Sequence, residues 1–262
     1  MTDTALHGVP ALGTPTRQVF VTALRRGWAD LRAAPLYAAI FAGSCVLGGW
    51  GLMAVSVLSE TTYWLVLAAI GFPLIGPFAA IGFYDISRRL ARDEPLVMSE
   101  IFGVVLRQSQ RQLPSLCAII VLLFMFWFFL GHMIFALFLG LSTMTNVMSS
   151  MAIYGTASGI QMLAVGTAVG AVFALVLFNI TVLALPMLLD REVDFVSAML
   201  ASWGHVSRHP LPMLAWAGML AVLTFAALLP GFLGLLVVLP WLGHSSWHLY
   251  DGLVTASAKG AV

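Results

Sequence analysis

The sequence predicts an all-α membrane protein with six transmembrane helices as three hairpins, each preceded by a cytoplasmic interfacial amphipathic helix. The composition, the lengths of the apolar segments and the placement of the charges predict it. Hydrophobic residues make up 61% of the 262 residues, charged residues make up 9%, and the mean hydropathy is +0.99. A soluble domain of this composition would lack enough polar surface to cover itself, so most of its surface must face lipid.

Six apolar segments are separable, and each is as long as a membrane-spanning helix or longer. Helices are expected because lipid cannot satisfy exposed backbone polar groups. The predicted spans are roughly 34–58, 62–84, 114–141, 159–189, 211–229 and 231–250.

The charges are distributed asymmetrically between the connections. All twelve Lys and Arg residues fall before the first segment, between the second and third, between the fourth and fifth, or after the sixth. By the positive-inside rule, we expect both termini and these connections to be cytoplasmic. We expect residues 1–16 to be a disordered cytoplasmic tail, 17–255 to form the membrane domain, and 256–262 to be a second tail.

A repeat precedes the first and fifth spans. FVTALRRGWADLRAAPL at 20–36 matches FVSAMLASWGHVSRHPL at 195–211 without a gap, and a weaker middle copy ends at Pro114. We predict interfacial helices over 17–33 and 194–209. Their lipid-facing side chains are expected to be Phe20, Leu24, Trp28 and Leu31 in the first copy, and Phe195, Met199, Ser202 and Val206 in the third.

An acidic residue closes each even-numbered span: Asp85, Asp190 and Asp251. A negative charge is disfavoured at a helix C-terminus, so each needs a partner. Arg88 and Arg89, or free N–H groups at the start of a Pro-headed span, are the expected partners. The unit occurs three times in parallel, which predicts a pseudo-threefold or sequential arrangement of hairpins.

The last span carries the most pointed candidate site. His244, His248 and Asp251 lie within roughly a 60° arc of a helix. Two imidazoles and a carboxylate on one face can bind a transition metal or relay protons. The alternative is a polar seam that hydrogen-bonds to neighbouring helices. In either case, we expect all three side chains to point into the bundle.

Other polar and small residues within the spans are weaker candidates. His132 and Asn179 are intramembrane polar residues that can bond to backbone carbonyls or join helices. The glycines of the fourth span permit close packing within the chain or a homo-oligomer contact; they are Gly155, Gly159, Gly166 and Gly170. A Gly/Pro break at 71–77 of the second span is either a kink or part of a binding site. The uncharged stretch 142–158 is an external loop or a short interfacial helix.

Several function classes are not supported. The net charge of +1 does not favour nucleic acid as a partner. Cys45 and Cys117 lie in apolar runs and form no CxxC pair, so neither a disulfide scaffold nor a thiolate zinc site is expected. The sequence contains no P-loop, GxSxG or HExxH motif, and we expect no enzyme activity.

Three motifs resemble a bacterial inner-membrane family, domain of unknown function 2189. They are R-G-W-A-D-L at Arg26–Leu31, Y-D-I-S-R-R at Tyr84–Arg89 and G-H-S-S-W-H-L-Y at Gly243–Tyr250. The resemblance covers roughly residues 15–255. Some members of that family carry a label as cytochrome c oxidase subunits, which implies a link to respiratory complexes. It implies no haem or copper ligands here, because the histidine pattern of an oxidase catalytic subunit is absent.

Two functions are therefore expected. The first is a non-enzymatic accessory or assembly component of a membrane complex, such as a respiratory oxidase. Its partners would be the lipid bilayer, respiratory complex subunits and further copies of itself. The second is a small-solute or ion transporter, with a site near the Gly/Pro break of the second span and the His/Asp face of the sixth.

Overall fold

A computed structural model describes the backbone of residues 6–59, 63–140 and 151–260, and the side chains of 7–59, 75–140 and 153–258. The described residues are predominantly helical, which confirms the all-α prediction. Of the stretch 142–158, residues 142–150 lie outside this description. Met151–Gly155 form a turn of 3-10 helix.

Each predicted span coincides with a helix or a helix pair: α2 (Pro35–Leu58), α3 (Tyr63–Ala91), α5 (Leu113–Leu139), α6 (Ala157–Thr181) with α7 (Ala184–Asp190), α9 (Pro210–Leu228) and α10 (Leu235–Gly260). By length and composition, four stretches of the described residues can cross a membrane: Pro35–Leu58, Leu113–Leu139, Ala157–Asp190 and Pro210–Leu228. Pro at the start of α2, α5 and α9 suits the first helical turn, where no intrahelical N–H bond is lost.

Three shorter helices precede the odd-numbered spans: α1 (Arg17–Ala33), α4 (Met98–Gln108) and α8 (Phe195–Arg208). The predicted helices over 17–33 and 194–209 are therefore present. Side chains cap two of them: Thr16 Oγ1 accepts from the Val19 N–H at 3.4 Å, and Asp194 Oδ1 accepts from the Ser197 N–H at 2.9 Å.

In each hairpin we call the second helix the return helix: α3, then α6 with α7, then α10. Each of the short helices packs on a return helix. Helix α4 contacts α3, α8 contacts α6 and α7, and α1 contacts α10, the last helix of the chain. The N-terminal unit thus follows the same rule as the others, with the chain closed into a ring. Helices α3, α7 and α10 also contact one another, so the three return helices form the centre of a threefold arrangement of units.

Most of the face of α1 and α8 that was expected in lipid instead packs on the bundle. Phe20 stacks on Trp216 with ring centroids 5.5 Å apart, and Leu24 packs against the main core. In α8, Ser202 and Val206 are buried. Trp28 is the member of the predicted face that is exposed, and the other exposed large apolar side chains of these helices are Val21, Val196, Leu200 and Trp203. The prediction was wrong for the packed side chains because a helix lying on a bundle buries its apolar stripe against protein first.

The expected disordered tail is ordered from residue 6. Leu6–His7 (β1) pairs in parallel with Arg191–Glu192 (β2), which follows α7. The Gly13 N–H donates to the Leu253 carbonyl at 2.8 Å, which fixes the segment on α10. At the other end, α10 continues to Gly260, so most of the predicted tail 256–262 is helical.

The fourth span is broken between α6 and α7. Pro186 has no N–H to donate to the Val182 carbonyl one turn earlier, and its ring crowds that carbonyl. Ser202 of α8 bridges the break: its Oγ donates to the Asn179 carbonyl at 2.7 Å and accepts from the Leu183 N–H at 3.2 Å. A side chain from a neighbouring helix therefore satisfies two of the backbone groups at the break, the Asn179 carbonyl and the Leu183 N–H.

Candidate functional site

The three sequence motifs meet at one place between α1, α3 and α10. We call this place the motif junction, and define it by Asp30, Ser87, His244 and His248. Asp30 comes from the first motif, Ser87 from the second and both histidines from the third. The junction therefore joins positions separated by up to 218 residues in sequence.

Glycine allows the helices of the motif junction to approach closely. A Cβ at Gly27 of α1 would lie 2.6 Å from the Ser245 nitrogen and 2.8 Å from its Cα. A Cβ at Gly243 of α10 would lie 2.7 Å from the ring of Phe83. Trp241 strengthens the α1–α10 contact, because its indole Nε1–H donates to the Leu24 carbonyl at 3.0 Å.

His248 is hydrogen-bonded to Asp30 in a nearly closed environment. His248 Nε2 lies 2.6 Å from Asp30 Oδ2, and the two side chains are 4% and 13% exposed. Because a carboxylate only accepts, the imidazole donates through Nε2. A bond to a charged group in such surroundings is among the stronger hydrogen bonds of a protein.

His244 is fully buried and bonded to α3. Its Nδ1 lies 3.1 Å from the Phe83 carbonyl and 2.8 Å from Ser87 Oγ. A carbonyl oxygen only accepts, so Nδ1 carries the proton that it donates. The two imidazoles thus use separate partners, which is the pattern expected for a polar seam.

A charged network adjoins the junction along α3. Asp85 is fully buried and accepts from Arg88 at 2.5 Å and from Arg89 at 2.9 Å. Arg89 also donates to Glu100 of α4 at 2.6 Å and to the Pro95 carbonyl at 3.2 Å. The partners expected for Asp85 are confirmed, and the shared arginine ties α4 to α3.

Asp190 and Asp251 differ in their bonding partners. Asp190 accepts from Arg191 at 3.2 Å and from the Tyr250 hydroxyl at 2.9 Å, which joins α7 to α10. Asp251 is half-buried, and no described residue forms an ion pair or a hydrogen bond with it. Its expected basic or N-terminal partner is therefore absent from the described part of the chain.

The remaining intramembrane candidates bond within their own helices. His132 Nδ1 lies 2.9 Å from the Phe128 carbonyl, and Asn179 Nδ2 donates to the Leu175 carbonyl at 2.7 Å. The glycine stripe is divided. A Cβ at Gly170 would lie 3.1 Å from Trp127 Nε1 and one at Gly159 would strike Ile153 in the preceding turn, whereas Gly155 and Gly166 face open space.

His205 of α8 is a buried titratable group outside the candidate spans. It is 2% exposed, and none of the described residues forms a hydrogen bond with its Nε2. Burial, with the nearby charges of His209 and Arg208, lowers the pKa of His205 to about 4. The imidazole is therefore neutral near pH 7 in the folded protein.

The predicted metal ligands are not arranged as a set of three. Within the residues that the structure describes, no three His, Cys, Asp or Glu side chains are placed to hold a metal ion. His244 and His248 point inward as expected, while Asp251 lies half-buried without joining them. Metal binding by this trio stays a prediction.

Residues 65–190 match a family model described as predicted integral membrane protein (DUF2189). This match confirms the resemblance over residues 65–190. It spans just under half of the chain and contains the motif Tyr84–Arg89, whereas Arg26–Leu31 and Gly243–Tyr250 lie outside the matched segment. The protein is an integral membrane protein with transmembrane helices. No curated protein and no solved structure matches the chain.

The sequence pointed to the histidines but did not identify their partners. Asp30 lies in the motif Arg26–Leu31 and Ser87 lies in the motif Tyr84–Arg89. The positions of these motifs in the sequence do not show that both residues contact α10. The amphipathic pattern predicts that Ser202 faces lipid. In the structure its hydroxyl bonds the backbone at the break in the fourth predicted span. A signal for that break was present, because Pro186 lies inside the predicted span.

Proposed function

We propose that this protein is a non-enzymatic accessory or assembly component of a membrane complex, such as a respiratory oxidase, in the bacterial inner membrane. In this proposal the six helices cross the bilayer and both termini are cytoplasmic, as the positive-inside pattern indicates. The motif junction would then lie at the cytoplasmic end of the bundle and hold the helices in a fixed arrangement.

One observation carries this proposal: most of the described polar side chains in the spans bond protein atoms through at least one of their own atoms. His244 and Asp85 are fully buried and bonded within the protein, and the side chains of His132 and Asn179 bond their own helices. A solute path needs polar groups or water that are free to bind what passes. Groups that are already paired with protein suit a rigid scaffold better.

The surface of the spans supports contact with lipid or with other membrane helices. Helix α5 exposes a row of large apolar side chains: Leu122, Met125, Phe126, Phe129, Met133 and Leu137. Apolar side chains are as stable against lipid as against a partner helix, so association in the membrane depends on packing. Such a surface can therefore face lipid or pack against a helix of another membrane protein.

The transporter remains the second candidate, because the fourth span is broken at Val182–Leu183. Discontinuous helices line the binding sites of many transporters. In this chain, Ser202 occupies the break and bonds both of its ends. The bridging serine favours a structural role for the break over an open site.

Deletion of the gene tests the proposal. We expect native gels of solubilised membranes to show less of one assembled membrane complex, with its separate subunits still made. Plasmid-borne wild type should restore it, and a Gly27→Leu variant that still reaches the membrane should not, because that change separates α1 from α10. An unchanged set of complexes in the deletion strain would refute the accessory role. Solute flux into vesicles containing the purified protein alone would establish the transporter instead.

A further inference from the structure

Two imidazole nitrogens in the motif junction are buried and have no hydrogen-bond partner among the residues that the structure describes: Nε2 of His244 and Nδ1 of His248. His244 is fully buried and His248 is 6% exposed. Buried polar atoms in native proteins are nearly always paired, so two such atoms one helical turn apart require an explanation.

The protonation of both rings follows from their partners. His248 donates through Nε2 to Asp30, and His244 donates through Nδ1 to the Phe83 carbonyl. In a neutral imidazole, the nitrogen that does not carry the proton is an acceptor. With both rings neutral, each unpaired nitrogen carries a lone pair, so a ligand common to them must be a metal ion or a hydrogen-bond donor such as water.

The surroundings of each ring match those of a metal-binding histidine. Such histidines donate their second N–H to a carboxylate or a backbone carbonyl, which fixes the tautomer and makes the free nitrogen more basic. Asp30 supplies the carboxylate for His248, and Phe83 supplies the carbonyl for His244. Histidines four residues apart on a helix can also reach one ion.

We propose that His244 Nε2 and His248 Nδ1 bind one late first-row transition-metal ion, such as Zn²⁺, with Asp30 as an outer partner. This site differs from the trio predicted from the sequence, because Asp251 is not a ligand. Two nitrogens leave at least two positions of a tetrahedral ion for water or another group. The inference is independent of the proposed accessory role.

Metal titration of the full-length protein in detergent tests this site. Metal-free protein is titrated with Co²⁺ and Zn²⁺, and binding is followed by the visible absorption of Co²⁺ and its displacement by Zn²⁺. We expect one ion per chain. Both His244→Ala and His248→Ala should weaken binding at least a hundredfold, and Asp30→Asn should weaken it about 10- to 100-fold. The matched control Asp251→Asn should leave the affinity unchanged.

X-ray absorption of the zinc-loaded wild type provides a test that needs no variant. We expect two imidazole nitrogens at about 2.0–2.1 Å from the ion. One imidazole or none in the spectrum, unchanged affinity in the histidine variants, or no saturable binding up to millimolar metal would each overturn the proposal. The last result would assign the two lone pairs to a bridging water.

Discussion

At the residue scale, glycine determines how closely α1 lies against α10. The backbone nitrogen of Ser245 occupies the space that a side chain at Gly27 would need. Gly218 of α9 provides a comparison, because no atom of the described part of the chain lies within 4 Å of a Cβ at that position. The same substitution should therefore have opposite effects at the two positions.

We predict that Gly27→Ala destabilises the protein and that Gly218→Ala does not. Overpacking of a close contact costs about 1–3 kcal/mol. At an open helical position, replacing glycine by alanine gains up to about 1 kcal/mol. Thermal unfolding in detergent measures both, and equal effects of the two variants would show that α1 does not touch α10 at Ser245.

The Asp30–His248 pair gives a second prediction at this scale. Asp30→Asn removes the carboxylate charge from a bond in which both side chains are largely buried. Hydrogen bonds to charged groups contribute about 1.5–3 kcal/mol, so the unfolding midpoint should fall measurably. The control is Asp93→Asn, since Asp93 is exposed and its φ of 54° suits asparagine equally well. A midpoint no lower in Asp30→Asn than in the control would contradict the pairing.

Local residue chemistry could be predicted from the sequence, and distant partners could not. Arg88 and Arg89 lie one turn from Asp85, so helical spacing alone identified that network. The partners of His248 and Asp190 depend on how α10 sits against α1 and α7. A single sequence contains no measure of those distances. For the same reason it could not show that Asp251 has no bonding partner among the described residues.

At the scale of elements, the helices followed their end signals closely. Thr16 and Asp194 are N-cap residues, and Pro35 and Pro210 begin the spans that follow. These local signals explain why the bounds of α1 and α8 agreed with prediction. The sides of α1 and α8 that were expected to face lipid did not agree with prediction. Amphipathicity shows which side of a helix is apolar but not whether protein or lipid covers it.

Helix α8 should lose stability in mild acid because His205 is buried in its neutral form. Its pKa is lowered to about 4 in the folded protein, whereas an unfolded histidine titrates near 6.5. Between these values the unfolded chain binds a proton that the folded chain does not, so the free energy of unfolding falls as pH decreases from about 6.5 to 4. Above about pH 6.5 His205 is neutral in both the folded and the unfolded chain, so it no longer makes the free energy of unfolding depend on pH.

The variant His205→Gln should reduce this pH dependence, with thermal unfolding measured at several pH values between 7 and 4. His7→Gln is the control, because His7 is exposed at the surface. A slope in His205→Gln equal to that of the wild type would show that His205 does not titrate as described.

At the scale of the whole molecule, the repeat becomes a ring of three units. The pattern of interfacial helix, proline, span and return span was visible in the sequence, and it allowed either a pseudo-threefold or a sequential arrangement. Contact between α1 and α10 selects the closed arrangement. The N-terminal segment reinforces the closure, because Gly13 bonds α10 while Leu6–His7 pairs beside α7.

Reporter fusions test the membrane topology of the whole chain. We expect cytoplasmic reporter activity for fusions after Arg89, Arg191 and Lys259, and periplasmic activity for fusions near Glu60 and Ser150. The last two sites lie outside the described residues. A periplasmic C-terminus would be incompatible with six spans and a cytoplasmic start.

Closure of the ring at the motif junction is tested most directly by thiol cross-linking in native membranes. Asp30→Cys and His248→Cys are combined in a chain whose Cys45 and Cys117 are replaced by Ala. Asp30 Oδ2 and His248 Nε2 lie 2.6 Å apart, so a short bifunctional thiol reagent can bridge cysteines at these two positions, whereas exposed Val21 serves as the control partner for position 248. We expect the reagent to join 30 to 248 much faster than 21 to 248. Equal rates for the two pairs, or no cross-link at 30–248, would contradict the junction of α1 with α10.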